Sequence, residues 1–383
     1  MRSIPHISWT LFSLLVLGGL ALLSGCADLA YYRQAAAGQW EQLRVRQPVA
    51  ELLADPATDP DLRRRLATAQ ALRDFASAEL ALPDNRSYRD YADLQRPWVV
   101  KNVFAAPELS LEPRRWCFLI TGCLSYRGYF DAAAAQRLVD ELRDAGDDVY
   151  LAEISAYSTL GWFADPLLNT FIRWPTGRLA ELLFHELAHQ RLYITNDTAF
   201  NEAFATAVGQ LGAVRWLEQY GSAAERKEFA ADLRRREAFL NLVTETRARL
   251  ATLYDSSRDD AEKRAGKHKI LADLQVRYQD LKQDWDGYTG YDRWFARDLN
   301  NAKLAGVSTY YHWVPAFVAL FEQEGQDFAA FYQATETLGR LPPKERAARL
   351  EALLAMPDAA LIPALLLLEG EGRADRLHRT FSQ

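Results

Sequence analysis

His185-Glu186-Leu187-Ala188-His189 sets two imidazoles four residues apart with a carboxylate between them. It lies in residues 179–192, a run that reads as a helix. At 3.6 residues per turn, positions i and i+4 share a face, so both rings can bind one Zn²⁺. Glu186 then sits beside the metal without ligating it, placed to take a proton from a zinc-bound water. In 383 residues with six histidines, a chance HExxH has odds on the order of one in a hundred. The bland alternative is a pair of satisfied histidines on a core helix.

A catalytic zinc site needs a third protein ligand and one open position. One solution places a third His six residues after the second, following a Gly; Gln190-Arg191-Leu192-Tyr193-Ile194-Thr195 contains neither. The other places a Glu on the next helix. Asn196-Asp197-Thr198 is a helix-start signal ahead of the Ala-rich run 199–208. Glu202 lies one turn into that run among small and apolar residues, where an unpaired carboxylate is costly to bury. An exposed Glu complementing the helix dipole is its ordinary alternative. His185, His189 and Glu202 are therefore the expected metal triad, with Asp197 or Asn201 as the partner that orients a ligand imidazole.

These features resemble the zincin-like metallopeptidases with two His and one Glu as ligands, the gluzincin type. More closely, the chain resembles the bacterial family of putative aminopeptidases. The resemblance rests on Tyr31-Tyr32 with residues 34–39, Gly122-Cys123 with Tyr126-Arg127-Gly128-Tyr129-Phe130, and residues 156–163 with Asp165-Pro166-Leu167-Leu168. It continues through the HExxH helix, Phe200-Asn201-Glu202-Ala203-Phe204, Asn300-Asn301-Ala302, and Tyr310 with Val314-Pro315-Ala316-Phe317. It implies a zinc-dependent peptidase acting on a peptide or protein. Characterised gluzincin aminopeptidases grip the substrate's free amino group with a Gly-Ala-Met-Glu-Asn loop. That loop is absent, the only methionines being Met1 and Met356. Zincins often steady the developing oxyanion with a Tyr or His donor. Tyr310 falls at the family's matching position, His312 is second choice, and aromatic packing at a helix start is the alternative. Asn300 and Asn301 are candidates to orient substrate or cap a turn. Arg127 suits either a substrate carboxylate or a structural ion pair. By analogy with the zincin edge strand, residues 154–162 are the candidate substrate strand, or else a loop leading into Asp165-Pro166.

The N-terminus points to a compartment. Arg2, an apolar run over residues 9–23 and Leu23-Ser24-Gly25-Cys26 make a bacterial lipoprotein signal. Cleavage before Cys26 and lipidation of its thiol would tether the protein to the cell envelope, facing the periplasm. Fifteen or so apolar residues are few for a membrane span, and Ala27 rather than Asp after the cysteine suits the outer membrane. Without residues 1–25 the chain carries 44 basic and 51 acidic side chains, a net −7. An acidic protein without a nucleic-acid motif is a poor nucleic-acid binder. The remaining pair, Cys117 and Cys123, suggests a disulfide in an oxidising compartment, two buried thiols being the alternative.

The expected fold is α+β and predominantly helical, zincin-like, with a small β-sheet packed on the HExxH helix and a long helical hairpin inserted. Five segments are expected. They are a signal peptide (1–25), a helical segment (26–95), the catalytic core (96–221), the hairpin (222–285) and a helical part completing the active site (286–383). Strand signals fall at Trp98-Val99-Val100, residues 116–120 and residues 149–154, with an amphipathic helix over residues 131–145. The charged run 222–281 suits two helices joined near Asp255-Ser256-Ser257, protruding and solvated. A different class of reading is an envelope scaffold without peptidase activity, its zinc structural and its hairpin a partner site.

Overall fold

Most helix starts follow from capping chemistry. The computed structural model describes residues 29–118, 122–157, 159, 161–296 and 298–356, with residues 308–310 described by backbone alone. The signal peptide, Cys26 and the apolar stretch 361–368 lie outside the described residues. After α1 (residues 29–45) and α2 (Val49–Ala54), Asp59 accepts from Leu62 N at 2.9 Å and opens α3 (Pro60–Ala78). Asp131 caps α4 (Ala132–Asp144), and α5 (Thr176–Arg191) follows Pro175. Asp197 caps α6 (Thr198–Tyr220) by accepting from Phe200 N at 3.1 Å. Reciprocal boxes, Ser222 with Glu225 and Asp259 with Glu262, start α7 (Ala223–Tyr254) and α8 (Asp260–Asp284). The short α9 (Asp292–Phe295), α10 (Asn301–Tyr311), α11 (Val314–Gln323), α12 (Phe328–Gly339) and α13 (Pro343–Leu354) complete an α+β, predominantly helical chain.

Among the described residues the strands form three small sheets. β1 (Arg46–Pro48), β2 (Asp90–Ala92) and β8 (Leu167–Leu168) make one, in that order. In the second, β3 (Val100–Pro107) lies between β6 (Arg127–Tyr129) and β7 (Asp147–Ile154), antiparallel to both. In the third, β4 (Trp116–Phe118) pairs with β5 (Gly122–Leu124), opposing Cys117 to Cys123, and the two are joined by a disulfide. The strand expected at residues 98–100 thus begins at Val100 and runs on to Pro107. β1 and β2 interrupt a segment that reads as helical, too short for a period-2 signal to emerge.

Strand alternation divides the second sheet. Val103 and Ala105 of β3, Tyr129 of β6 and Val149 of β7 share a core with Ala135 and Val139 of α4. Phe104, Ala106 and Ala152 on the other face pack with Ala302 of α10. The largest core is built by α3, α5, α6, α11 and α12, and buries Phe184, Phe200, Phe204, Phe317 and Phe331. The first sheet contributes Tyr91, Ala92, Leu167 and Leu168 to that same core.

α7 and α8 form the expected hairpin, turning after Asp255, and His268 is exposed. The hairpin is not free in solvent. Leu242, Val243 and Leu250 of α7 pack on Leu271, Leu274 and Tyr278 of α8, together with Phe295 and Leu304. Near the tip, Lys267 Nζ reaches Asp148 at 2.6 Å and Glu108 O at 2.9 Å. Near the base, Arg236 pairs with Glu181 of α5. No described helix is long and apolar enough to cross a membrane.

Candidate active site

α5 carries His185 and His189 on one face, and α6 crosses it closely because the facing residue is Gly209. A Cβ there would stand 2.6 Å from Glu181 O and 3.2 Å from His185 Cβ. Glu202, Thr206 and Gly209 are spaced i, i+4, i+7, so one stripe of α6 meets α5. The turn between the helices is held by Asn201, whose amide accepts from Ile194 N and donates to Ile194 O, both at 2.7 Å. Asn196 takes a left-handed φ of 66°, and its Oδ1 accepts from Cys123 N at 3.2 Å.

The crossing brings three donors together. His185 Nε2 and His189 Nε2 lie 3.1 Å apart, and Glu202 Oε2 lies 3.5 and 3.7 Å from them. With Zn–N and Zn–O bonds of about 2.0–2.1 Å, tetrahedral geometry spaces neighbouring ligand atoms by about 3.3 Å. The three distances fit such an ion, as does the donor set of two nitrogens and one carboxylate oxygen. Among the described residues this is the one cluster of three or more His, Cys, Asp or Glu arranged to hold a metal. His185 Nδ1 lies 3.4 Å from Thr206 Oγ1, and donation to that hydroxyl leaves Nε2 its lone pair for a metal. His189 Nδ1 is buried with no hydrogen-bond partner among the described residues.

The charges reinforce one another. Burial alone would raise the pKa of Glu202, but the two imidazoles overrule it and hold the carboxyl at about 2. Burial opposes protonation of His185, yet Glu202, Glu186 and Glu181 outweigh it and raise its pKa above the usual value. Glu186 goes the other way: burial, helped by Glu202, pushes its pKa up against the pull of the histidines. A carboxylate with a raised pKa beside the cluster is better suited to accept a proton than an ordinary one.

The cluster opens on a cavity of about 1380 Å³, which His185, Glu186, His189, Glu202 and Thr206 help to line. Its other walls are α1 (Tyr31, Gln39, Trp40), the second sheet (Phe104, Tyr150, Ile154), and α10 with Tyr311. Ser155, Ala156, Tyr157, Thr159, Trp162 and Phe163 border it too, but the strand stops at Ile154 and these described residues lie outside any strand. The described part of the expected substrate strand at 154–162 therefore does not continue β7 beyond Ile154, and Asp165 accepts from Thr159 N at 3.0 Å instead.

Several residues singled out in the sequence stand elsewhere. Asp197 pairs with Arg346 at 2.7 Å besides capping α6, and Asn201 is occupied with Ile194. Neither touches an imidazole; the residue that does is Thr206. Asn301 is fully buried, donating its main-chain N–H to Asp148 and its amide to Glu108 O at 2.8 Å each, so it locks α10 to β3 and β7. His312 points to solvent, 3.9 Å from Glu351 and away from the cavity. Arg127 lies over the Tyr31 ring at 4.3 Å, where it holds α1 to the sheet. The Tyr310 side chain lies outside the described residues; its neighbour Tyr311 lines the cavity.

Thr206 was not among the expected site residues, although its i+4 spacing from Glu202 is visible in the sequence. Nor were the Glu181–Arg236 pair and the wall supplied by α1, which no local spacing reveals. Over residues 30–350 the chain matches the model of a family described as putative aminopeptidase. No curated protein and no solved structure shows a significant match. Since the match runs from α1 into α13 and takes in both helices of the cluster and every wall of the cavity, the chain belongs to the putative aminopeptidase family.

Proposed function

We propose that this protein is a zinc-dependent metallopeptidase with a zincin-like site, tethered to the periplasmic side of the cell envelope through a lipid on Cys26. The observation that carries the reading is the meeting of Glu202, from a separate helix, with His185 and His189 on the wall of a peptide-sized cavity. Those three residues hold the zinc, which supplies a Lewis acid that acidifies water and polarises a carbonyl. Glu186 takes the proton from the attacking water and passes it to the leaving amine, with its raised pKa matched to both transfers. Thr206 orients the His185 ring. The donor to the oxyanion is assigned to α10, with Tyr310 in that role and Tyr311 beside it on the cavity wall.

Two substitutions separate chemistry from metal binding. Glu186→Gln should keep zinc and lose about 10²–10⁴-fold in peptide hydrolysis. Glu202→Ala removes a ligand and should lose both zinc and activity. Zinc content, melting temperature and hydrolysis of a peptide library are measured for each. In a scaffold with structural zinc, Glu186→Gln would change nothing while Glu202→Ala would lower the melting temperature. Full zinc and turnover in Glu202→Ala would remove Glu202 from the site. For the tether, Cys26→Ser should free the protein from membranes or leave its signal uncleaved.

A further inference from the structure

The wall that the second sheet gives to the cavity is mostly apolar; of its polar residues Glu153 is taken up by Lys101 at 3.1 Å and by Arg293, which leaves Asn102. Val100, Asn102 and Phe104 of β3 border the cavity, with Ala152 and Ile154 of β7 beside them. Asn102 is 8 % exposed, and its carboxamide has no hydrogen-bond partner among the described residues. Its cross-strand neighbours are Gly128 and Ala152, small residues that leave the amide uncovered on both sides. Space there is tight: a Cβ on Gly128 would stand 3.0 Å from Asn102 Oδ1.

The amide stands on the cavity wall, where its donor and acceptor are open to a ligand. Binding cavities are largely apolar with a few placed polar groups that orient the ligand. The main chain of β3 is paired by β6 over residues 101–103 and by β7 over residues 100–107, so at Asn102 a ligand meets β3 through the side chain. A carboxamide offers one donor group and one acceptor, the complement of a peptide unit. The cavity, at about 1380 Å³, exceeds the roughly 300–1,000 Å³ of small-ligand sites and has room for several residues.

We infer that Asn102 is a substrate-binding residue: its carboxamide pairs with a main-chain amide of an extended peptide whose apolar side chains fill the aromatic cavity around it. The inference rests on the peptidase reading for the nature of the ligand, but its test reads binding directly. The probe is the hexapeptide Ala-Phe-Ser-Ala-Leu-Ala with free termini, compared with a version carrying Glu for Phe and Leu. Binding to the zinc-loaded full chain bearing Glu186→Gln is followed by titration calorimetry.

The apolar hexapeptide should bind more tightly than the acidic one. Adding Asn102→Leu should weaken it about 3- to 10-fold. Gly128→Ala, which crowds the amide, should weaken it in the same direction. With Glu186 intact, Asn102→Leu should raise KM by the same factor and leave kcat within about twofold. Its melting temperature should hold or rise, whereas a structural asparagine would lower it when replaced. Unchanged affinity in Asn102→Leu overturns the inference, as does a fall in melting temperature and kcat together, or no hexapeptide binding at all. If the wild type hydrolyses nothing yet binds the hexapeptide through Asn102, the peptidase reading fails and this one stands.

Discussion

Replacing Arg236 by Met tests whether the hairpin holds the HExxH helix α5 in place. Arg236 of α7 grips both carboxylate oxygens of Glu181, the second at 2.8 Å, and reaches Asp232 at 3.3 Å; Arg178 closes the network on Asp232 at 2.8 Å. The Arg236 and Glu181 side chains are 11 and 10 % exposed, and Glu181 stands one turn ahead of His185. Removing one partner of a buried pair costs about 3–5 kcal/mol, because the other charge stays buried and uncompensated. At roughly 2–4 °C per kcal/mol, the melting temperature should fall by about 6–20 °C. Replacing both, as Glu181→Leu with Arg236→Met, should recover most of that loss. The pH dependence has a definite sign. Burial alone would raise the Glu181 pKa from its usual 4.5, but Arg236 wins and holds it lower. A carboxylate so depressed contributes stability above the unfolded value and loses it as pH falls through the folded one. In Arg236→Met the shift reverses, and Glu181 takes up a proton more readily. The gap between wild type and variant should therefore be widest at pH 7 and shrink toward pH 4. Urea unfolding at both pH values measures it. A single variant within about 0.5 kcal/mol of wild type at pH 7, or a gap that does not narrow in acid, would refute the reasoning.

Two glycines offer independent tests of the packing. Gly209→Ala sets a methyl 2.6 Å from Glu181 O, so it should cost about 1–3 kcal/mol and weaken the proposed zinc binding by spreading α5 from α6; unaltered zinc affinity would show that the crossing tolerates the shift. Gly38→Ala places a Cβ 2.0 Å from Phe130 Cγ and should lift α1 from the cavity, raising KM more than it lowers the melting temperature. Equal KM in Gly38→Ala would mean that α1 is no part of the substrate wall.

What the sequence disclosed about this protein is what local geometry decides. Two histidines at i and i+4 share a helical face in any helix, so His185 and His189 were legible before any fold was known. Glu202 was legible for a related reason: a short turn and a capping Asp197 place it early on the very next helix. The long hairpin could be read because its capping residues and charge pattern are local as well. The remaining site residues depend on which distant surfaces meet. Asp197 and Asn201 have the right types and the right neighbourhood to orient an imidazole, yet the turn between α5 and α6 needs both for its own hydrogen bonds, and Thr206 takes that place. Asn301 and His312 resemble substrate ligands by type alone. Packing buried one against Asp148 and Glu108 and left the other in solvent. Asn102 carried no signal at all, because a single polar residue in a strand marks a cavity only when both neighbouring strands offer small residues beside it. Local spacing along a helix is set by 3.6 residues per turn, but contacts between elements far apart in sequence are chosen by burial and polar satisfaction over the whole chain. The cluster of His185, His189 and Glu202 belongs to the first kind, and the cavity around it belongs to the second.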